Sequence, residues 1–300
     1  MKFKIQLLSD QQLQCGEGPV WDSKNEKLYW TNSLGESIYS YTQQSQTSLH
    51  YNGWHAASLT LHKTGGLMTC GKEGFSLLSP QNEIHNFSND SIGIKAYHLN
   101  DIIADSEGRV FAGQECFQED IRYQTGHLFM LNIDGSLHIA DEGFHTANGM
   151  GFSFDGKIFY VADTILRNIY QYDYNSATGA ISNKKTFFHF DREDGLPDGL
   201  TIDAEGCLWV AMFLGSKIIC IDPDGKIKTS IKLPFAQPTS VTFGGKDLNE
   251  LFITSAALKW PTLLAPENHN FNFPRGGGLY RIHTDIQGKS EFYAGTSIIF

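Results

Sequence analysis

The sequence predicts an all-β fold, a six-bladed β-propeller, on three observations. Helical periodicity is almost absent, and short apolar runs are separated by D-G, N-G, E-G and G-G turn dipeptides. The 30 glycines suit this pattern, because hairpin turns require residues that tolerate positive φ. One unit, an apolar strand followed by a polar turn and a second apolar strand, recurs six times along the chain.

The six repeats are the elements from which the blades would be built. They occupy residues 18–33, 58–70, 100–113, 148–163, 198–211 and 240–255. Weaker third and fourth strands fill the intervals, as at 126–140, 167–182 and 216–230. Four strands in a unit of ~40–50 residues, repeated radially, form the pattern of a β-propeller, so six units predict six blades.

The two ends of the chain fit closure of such a propeller. A strand at 3–8 precedes the first repeat, and residues 277–282 and 290–295 follow the sixth. Pairing an N-terminal strand into the last blade would remove exposed sheet edges. The insert at 256–276 contains three prolines and breaks the pattern, which predicts a long loop over one face. We expect residues 1–300 to form one propeller domain.

Composition and charge exclude several classes of protein. With 23 Lys+Arg against 33 Asp+Glu and no basic cluster, we expect no nucleic-acid partner. No apolar run approaches the ~20 residues that span a bilayer, and the N-terminus lacks a secretion signal. Five widely spaced cysteines without a C-x-x-C pair indicate a reducing compartment. We therefore expect a cytoplasmic protein with no membrane partner, and the sequence leaves monomer and dimer open.

Superposition of the repeats on their own turn residues reveals a candidate metal site. Eight residues before the turn, the equivalent positions are Glu17, Ala57, Asn100, Asn148, Asp198 and, near an insertion, about Thr239. The first strand of each blade lines the channel of a propeller, so these positions form a ring around its axis. Two carboxylates and two carboxamides in that ring suit a hard or borderline divalent cation. The alternative is that Asn and Asp merely begin strands after turns, as they often do.

Four segments in order resemble one known family. They are C-G-E-G-P-V-W-D at 15–22, N-D-x-x-x-D-x-x-G-R at 100–109, N-G-M-G-F-S at 148–153 and L-P-D-G-L-T-I-D-A-E-G-x-L-W-V-A at 196–211. The chain resembles the SMP-30/gluconolactonase/luciferin-regenerating-enzyme family of six-bladed propellers over about residues 13 to 283. The resemblance is specific for the family and much less specific for the substrate.

The resemblance implies a metal site on the axis. It assigns Glu17, Asn148 and Asp198 as ligands of one divalent ion, which could be Ca, Zn, Mn, Mg or Fe(II). Asn100 would lie at or just outside the coordination sphere and contact substrate or a metal-bound water. Asp198 would also act as the catalytic base.

The segment that precedes Asn100 departs from the family pattern. Many sugar lactonases of the family have Arg two residues before this Asn, whereas this chain has His98. Histidine lacks the five-donor fork of arginine, so a preference for acidic sugars cannot be assumed. A substrate-contacting Glu of some members falls near Gln118, with Glu115 close by. We therefore expect His98, Asn100, Glu115 and Gln118 to contact the substrate.

These features predict a metal-dependent hydrolase that opens a small cyclic ester, with an aldonolactone as the leading candidate. It would be a carboxylic ester hydrolase of the gluconolactonase type, in which the cation activates the carbonyl for attack by water. A carboxylate bound to a cation is a weakened base, so His98 is an alternative to Asp198. Other hypotheses are a phosphotriester or xenobiotic-lactone hydrolase and a non-catalytic calcium-binding scaffold.

Overall fold

The computed structural model describes residues 3–87, 97–115, 125–260 and 262–297, and it confirms the six-bladed β-propeller. These residues contain six antiparallel sheets of four strands each. Strand order within each sheet follows the chain except in the last one, which incorporates the N-terminal strand. The predicted closure by residues 3–8 is therefore confirmed as well.

The strands are numbered in chain order, and the first one precedes blade 1. This strand is β1 (Ile5–Ser9). Blade 1 comprises β2 (Gly16–Asp22), β3 (Lys27–Asn32), β4 (Ser37–Thr42) and β5 (Gln46–Asn52). Blade 2 comprises β6 (Ser58–Leu61), β7 (Leu67–Gly71), β8 (Gly74–Leu78) and β9 (Ile84–Asn86). Blade 3 comprises β10 (Leu99–Ala104), β11 (Val110–Gln114), β12 (Gly126–Leu131) and β13 (Leu137–Phe144).

The remaining blades repeat this order. Blade 4 comprises β14 (Ala147–Phe152), β15 (Ile158–Asp163), β16 (Asn168–Tyr174) and β17 (Ile181–His189). Blade 5 comprises β18 (Leu196–Ile202), β19 (Leu208–Phe213), β20 (Lys217–Ile221) and β21 (Ile227–Lys232). Blade 6 comprises β22 (Pro238–Gly244), β23 (Glu250–Ser255), β24 (Leu279–His283) and β1. Short 3-10 helices lie at Ser33–Gly35, Arg192–Asp194 and Thr262–Leu264, and among the described residues no helix is long and apolar enough to cross a membrane.

The inner strands form a closed ring around the axis. Strands β2, β6, β10, β14, β18 and β22 each contact the inner strand on either side, and β22 meets β2. Between the last and first blades, Trp21 stacks on Phe252 with ring centroids 5.6 Å apart. Large aromatic residues of the strands, such as Trp30, Phe111 and Trp209, are no more than 1% exposed. Burial of these large apolar surfaces between neighbouring sheets is the main force that holds the blades together.

The turn between the first two strands of a blade explains the repeat seen in the sequence. In blade 3, Asp105 Oδ1 accepts hydrogen bonds from the backbone N–H groups of Glu107, Gly108 and Arg109 at 2.8–2.9 Å. Gly108 has φ of +102°, a conformation that favours glycine. An aspartate followed three residues later by glycine is thus a self-contained turn. Each such turn connects the first strand of a blade, which lies at the axis, to the second strand.

The segment after β24 lines part of the axial channel. Residues 290–295 form no strand, and their ladder contact is a single parallel bridge between Ala294 and His62. Residues 289–292 border a cavity of about 70 Å³ together with residues of all six inner strands. Lys289 Nζ donates a hydrogen bond to the carbonyl oxygen of Phe152 at 3.1 Å. Residues 289–292 therefore form part of the wall of the axial channel beside the six inner strands.

Candidate active site

The six inner strands begin around one cavity of about 210 Å³. The structure brings the equivalent positions of the repeats together there, namely Glu17, Ala57, Asn100, Asn148, Asp198 and Thr239. We call the four oxygen-rich members, Glu17, Asn100, Asn148 and Asp198, the ligand ring. Asn148 and Asp198 are 6% exposed, whereas Glu17 and Asn100 are half-buried at the cavity surface.

A β-bulge changes the direction of the chain at the position of the ring residue. In five blades, one extra residue interrupts the pairing of the first two strands at this point, for example between Asn148 and Met150. Bulges of this kind redirect side chains and are common beside active sites. The described part of blade 2, whose ring residue is Ala57, has no such shift between its first two strands. The bulge and the ligand type therefore coincide in blades 1, 3, 4 and 5.

The glycine after each of three ligands allows the inner strands to approach. A Cβ on Gly149 would collide with the backbone of Asp198 and Leu200 in the next blade. A Cβ on Gly18 or Gly199 would meet a serine of the next inner strand in the same way. The E-G, N-G and D-G dipeptides of the ring are thus imposed by close strand packing.

Hydrogen bonds orient the ring side chains. Asn148 Nδ2 donates to Asp198 Oδ1 at 2.5 Å and to Thr164 Oγ1 at 3.1 Å. Thr164 Oγ1 itself donates to the carbonyl oxygen of Pro197 at 2.8 Å, so it must act as acceptor toward Asn148. The amide oxygen of Asn148 accepts the Gly149 N–H at 3.1 Å and has a second lone pair available for a ligand bond. Glu17 Oε2 accepts the Gly18 N–H at 3.1 Å.

The ring is strongly acidic. Burial raises the pKa of Glu17 well above its usual value, and Asp198 and then Asp101 raise it further. Burial also raises the pKa of Asp198, with Asp101 as the next cause. Converging buried carboxylates are costly unless a cation compensates them. The oxygen-only donor set and this unbalanced charge fit a divalent metal ion.

Two of the other predicted substrate contacts also line the cavity. His98 lies at its rim with φ of +51°, a backbone conformation uncommon outside glycine. Its carbonyl oxygen accepts the N–H of Glu115 at 2.9 Å. Burial raises the pKa of Glu115, while His98 lowers it. Gln118 lies outside the described residues.

A second layer of residues lines the cavity, and of these only Glu115 was predicted from the sequence. One or two residues after the second strand of blades 1 to 5 come Leu34, Lys72, Glu115, Ile165 and Leu214. Blade 6 contributes Trp260 and Leu264 from the insert at 256–276, so this loop reaches the cavity. These positions recur once per blade, so the repeat that revealed the ligand ring could have revealed this layer also. His55 on blade 2 had no signal in the sequence.

A second group of metal-binding residue types has a structural explanation. Donor atoms of Asp203, Cys207 and Cys220 lie within 4.8 Å of one another. Asp203 Oδ1, however, accepts the N–H groups of Glu205 and Cys207 at 2.9 Å, and its Oδ2 accepts Trp209 Nε1 at 2.9 Å. Burial raises the pKa of both thiols, which disfavours the thiolate that a metal requires. We therefore assign Asp203, Cys207 and Cys220 a structural role at the turn of blade 5 and not a metal site.

Comparison with known proteins adds an independent finding. Residues 15–257 match the model of a family described as the SMP-30/gluconolactonase/LRE-like region. YvrE of Bacillus subtilis, provisionally named a sugar lactone lactonase, is 32% identical over 94% of this chain and 95% of its own. Pentonolactonase XacC of Haloferax volcanii is 31% identical, again over 94% and 95%. Human regucalcin is 30% identical over 98% of this chain and 99% of its own.

Solved structures agree on the fold. A luciferin-regenerating enzyme superimposes with a TM-score of 0.85 at 27% identity, covering 99% of this chain and all of that one. A gluconolactonase of Xanthomonas campestris gives a TM-score of 0.77 at 21% identity, over 94% of this chain and 89% of its own. The second likeness shows the propeller fold alone.

Proposed function

The chain belongs to the SMP-30/gluconolactonase/LRE-like family, and from that membership we propose that it is a metal-dependent hydrolase that opens a small lactone. The observation that carries the proposal is the convergence of Glu17, Asn100, Asn148 and Asp198 on one cavity. Two relatives bear the names of a sugar lactone lactonase and a pentonolactonase. Aldonolactones are therefore the first substrates to test, and the reaction is that of a carboxylic ester hydrolase.

Glu17, Asn148 and Asp198 would hold the ion, with Asn100 within reach directly or through water. When bound, the ion supplies Lewis-acid polarisation of the lactone carbonyl. The oxygen donors of these side chains suit Ca, Zn, Mn, Mg or Fe(II). Asn148 is fixed by Thr164, so its ligand atom is preorganised before the ion arrives.

Asp198 would accept the proton of the attacking water. Its carboxylate accepts hydrogen bonds from Asn148 and from the backbone of Gly199, which would hold it in place for this role. Asn100 and His98 would orient the lactone from the blade 3 side of the cavity. His98, at the cavity rim, is the alternative base because a metal-bound carboxylate loses proton affinity.

The test is a panel of lactones assayed after chelation, with each candidate metal added back separately. We expect chelated protein to be inactive and at least one metal to restore hydrolysis. The same metal should raise the melting temperature, because an ion that binds only the folded state stabilises it. Stabilisation without turnover of any lactone would favour the calcium-binding scaffold. Turnover that is unaffected by chelation would contradict the metal-dependent mechanism.

A further inference from the structure

We propose that the cavity selects lactones that carry an apolar substituent, which packs against one side of its wall. This inference rests on the proposed lactonase function and narrows its substrate class. The side in question is formed by blades 4, 5, 6 and 1. Its residues, which we call the apolar wall, are Leu34, Ile165, Phe213, Leu214, Trp260 and Leu264.

The apolar wall is accessible to a ligand. Leu34 is 44% exposed, and Ile165, Trp260 and Leu264 are half-buried although they line a cavity. Covering such surface with an apolar group yields about 25 cal/mol per Å². A hydroxylated group placed there would lose its water without gaining equivalent partners.

Hydroxyl groups on this side are already engaged. Thr164 Oγ1 donates to the carbonyl oxygen of Pro197 at 2.8 Å, and Thr146 Oγ1 donates to that of His145 at 2.8 Å. Ser33 Oγ donates to the carbonyl oxygen of Cys15 at 3.4 Å. Each hydroxyl has one proton, so none of these three has a donor left for a sugar hydroxyl.

The opposite side of the cavity is polar and carries charged residues. Blades 2 and 3 contribute His55, Lys72, His98 and Glu115. Polar parts of a substrate, including the ring oxygens, would therefore face blades 2 and 3. This arrangement gives the lactone one orientation above the ligand ring, with its substituent toward the apolar wall on blades 4, 5, 6 and 1.

The apolar wall is held in place before a ligand binds. Arg167 Nη2 donates to the carbonyl oxygen of Leu264 at 3.1 Å, and Arg192 Nε donates to that of Ala265 at 3.1 Å. Trp260 meets Phe213 edge-on, with ring centroids 5.8 Å apart. A wall fixed in this way loses little side-chain entropy when a substituent packs against it.

The experiment compares an unsubstituted γ-lactone, the same ring with a six-carbon alkyl chain, and glucono-δ-lactone, all with the activating metal. We expect kcat/KM for the alkylated ring to exceed that of the other two by about tenfold or more. Leu264→Ser should reduce this advantage about tenfold. Leu263→Ser is the matched control, because Leu263 lies in the same 3-10 helix but is 75% exposed and does not line the cavity.

The result that overturns the inference is a preference for glucono-δ-lactone, or an equal response of the Leu263 and Leu264 variants. Thermal unfolding of both variants checks that they remain folded. If no lactone is hydrolysed, the proposed function fails, and binding of the ring-opened alkyl hydroxy acid decides the inference by calorimetry. We then expect about tenfold weaker binding in Leu264→Ser alone. Equal binding of the hydroxy acid to the wild type, Leu263→Ser and Leu264→Ser would refute the apolar wall as a binding surface.

Discussion

The ligand ring and the second layer of the cavity occupy equivalent places in successive blades, yet they vary in different ways. Ring positions begin the first strand, and four of the six carry a carboxylate or carboxamide. Second-layer positions follow the second strand and change from Leu34 to Lys72, Glu115, Ile165 and Leu214. A bulge and close strand packing constrain the ring, whereas the second layer lies in connections that tolerate change. We infer that the ring sets the reaction and the second layer sets the substrate.

The sharpest test of this division is Asp198→Asn. The change keeps the volume and one ligand oxygen but removes charge and basicity. We expect turnover to fall on the order of 10³-fold for every lactone alike, because proton acceptance and metal binding both weaken. Steady-state kinetics measure the loss, and circular dichroism checks the fold. Turnover at the wild-type rate would place the base elsewhere, with His98 the next residue to replace.

Glu17→Gln should separate metal binding from proton transfer. Removing one ligand charge lowers affinity for the ion, so we expect activity at limiting metal to fall about 100-fold. Excess metal should restore Glu17→Gln further than it restores Asp198→Asn. Titration of activity against free metal measures this difference. Identical metal dependence of the two variants would contradict separate roles.

Gly149→Ala should show that the ring cannot tolerate a side chain beside its ligand. The added methyl group would strike the backbone of Asp198 and Leu200, so we expect a loss of about 1–3 kcal/mol in the free energy of unfolding. Gly53→Ala is the control, because a Cβ there meets no atom within 4 Å and only its φ of +88° is unfavourable. Chemical denaturation compares them. A larger loss in the control would argue against close packing as the reason for the glycine.

His98→Arg should change specificity while leaving the reaction intact. Arginine supplies a fixed charge and several donors on the blade 3 side, where histidine offers one hydrogen bond. We expect relative kcat/KM to shift toward polyhydroxylated or acidic lactones by about 1–3 kcal/mol, roughly 5- to 150-fold. A neutral, a polyhydroxylated and an acidic lactone suffice for the measurement. Unchanged ratios would show that His98 does not face the substrate.

The same division explains what could be predicted from the sequence. The blades and the positions of the ligand ring were accessible because each repeat carries its own turn residues, such as Asp105 and Gly108, at a fixed distance from the ring. The bulges were not predicted, because the inner strands are buried on both faces and show no apolar–polar alternation whose phase an extra residue would shift. The second layer, apart from Glu115, was not predicted, because its residue types change from blade to blade and only the spacing of its positions repeats. Proline content predicted the loop at 256–276 but not that Trp260 and Leu264 would reach the cavity.

Closure by the N-terminal strand has a consequence for synthesis of the protein. Arg281 Nη2 donates to Gln6 Oε1 at 2.8 Å across 275 positions of sequence, and β1 pairs with β24. A chain that emerges from the ribosome must therefore keep β1 unpaired until almost all of it has been made. Glu17 on β2 and Asp198 on β18 lie on opposite sides of β22, which contacts both strands and is made only with blade 6. We therefore expect the final geometry of the proposed metal site to form late, when blade 6 closes the ring of inner strands.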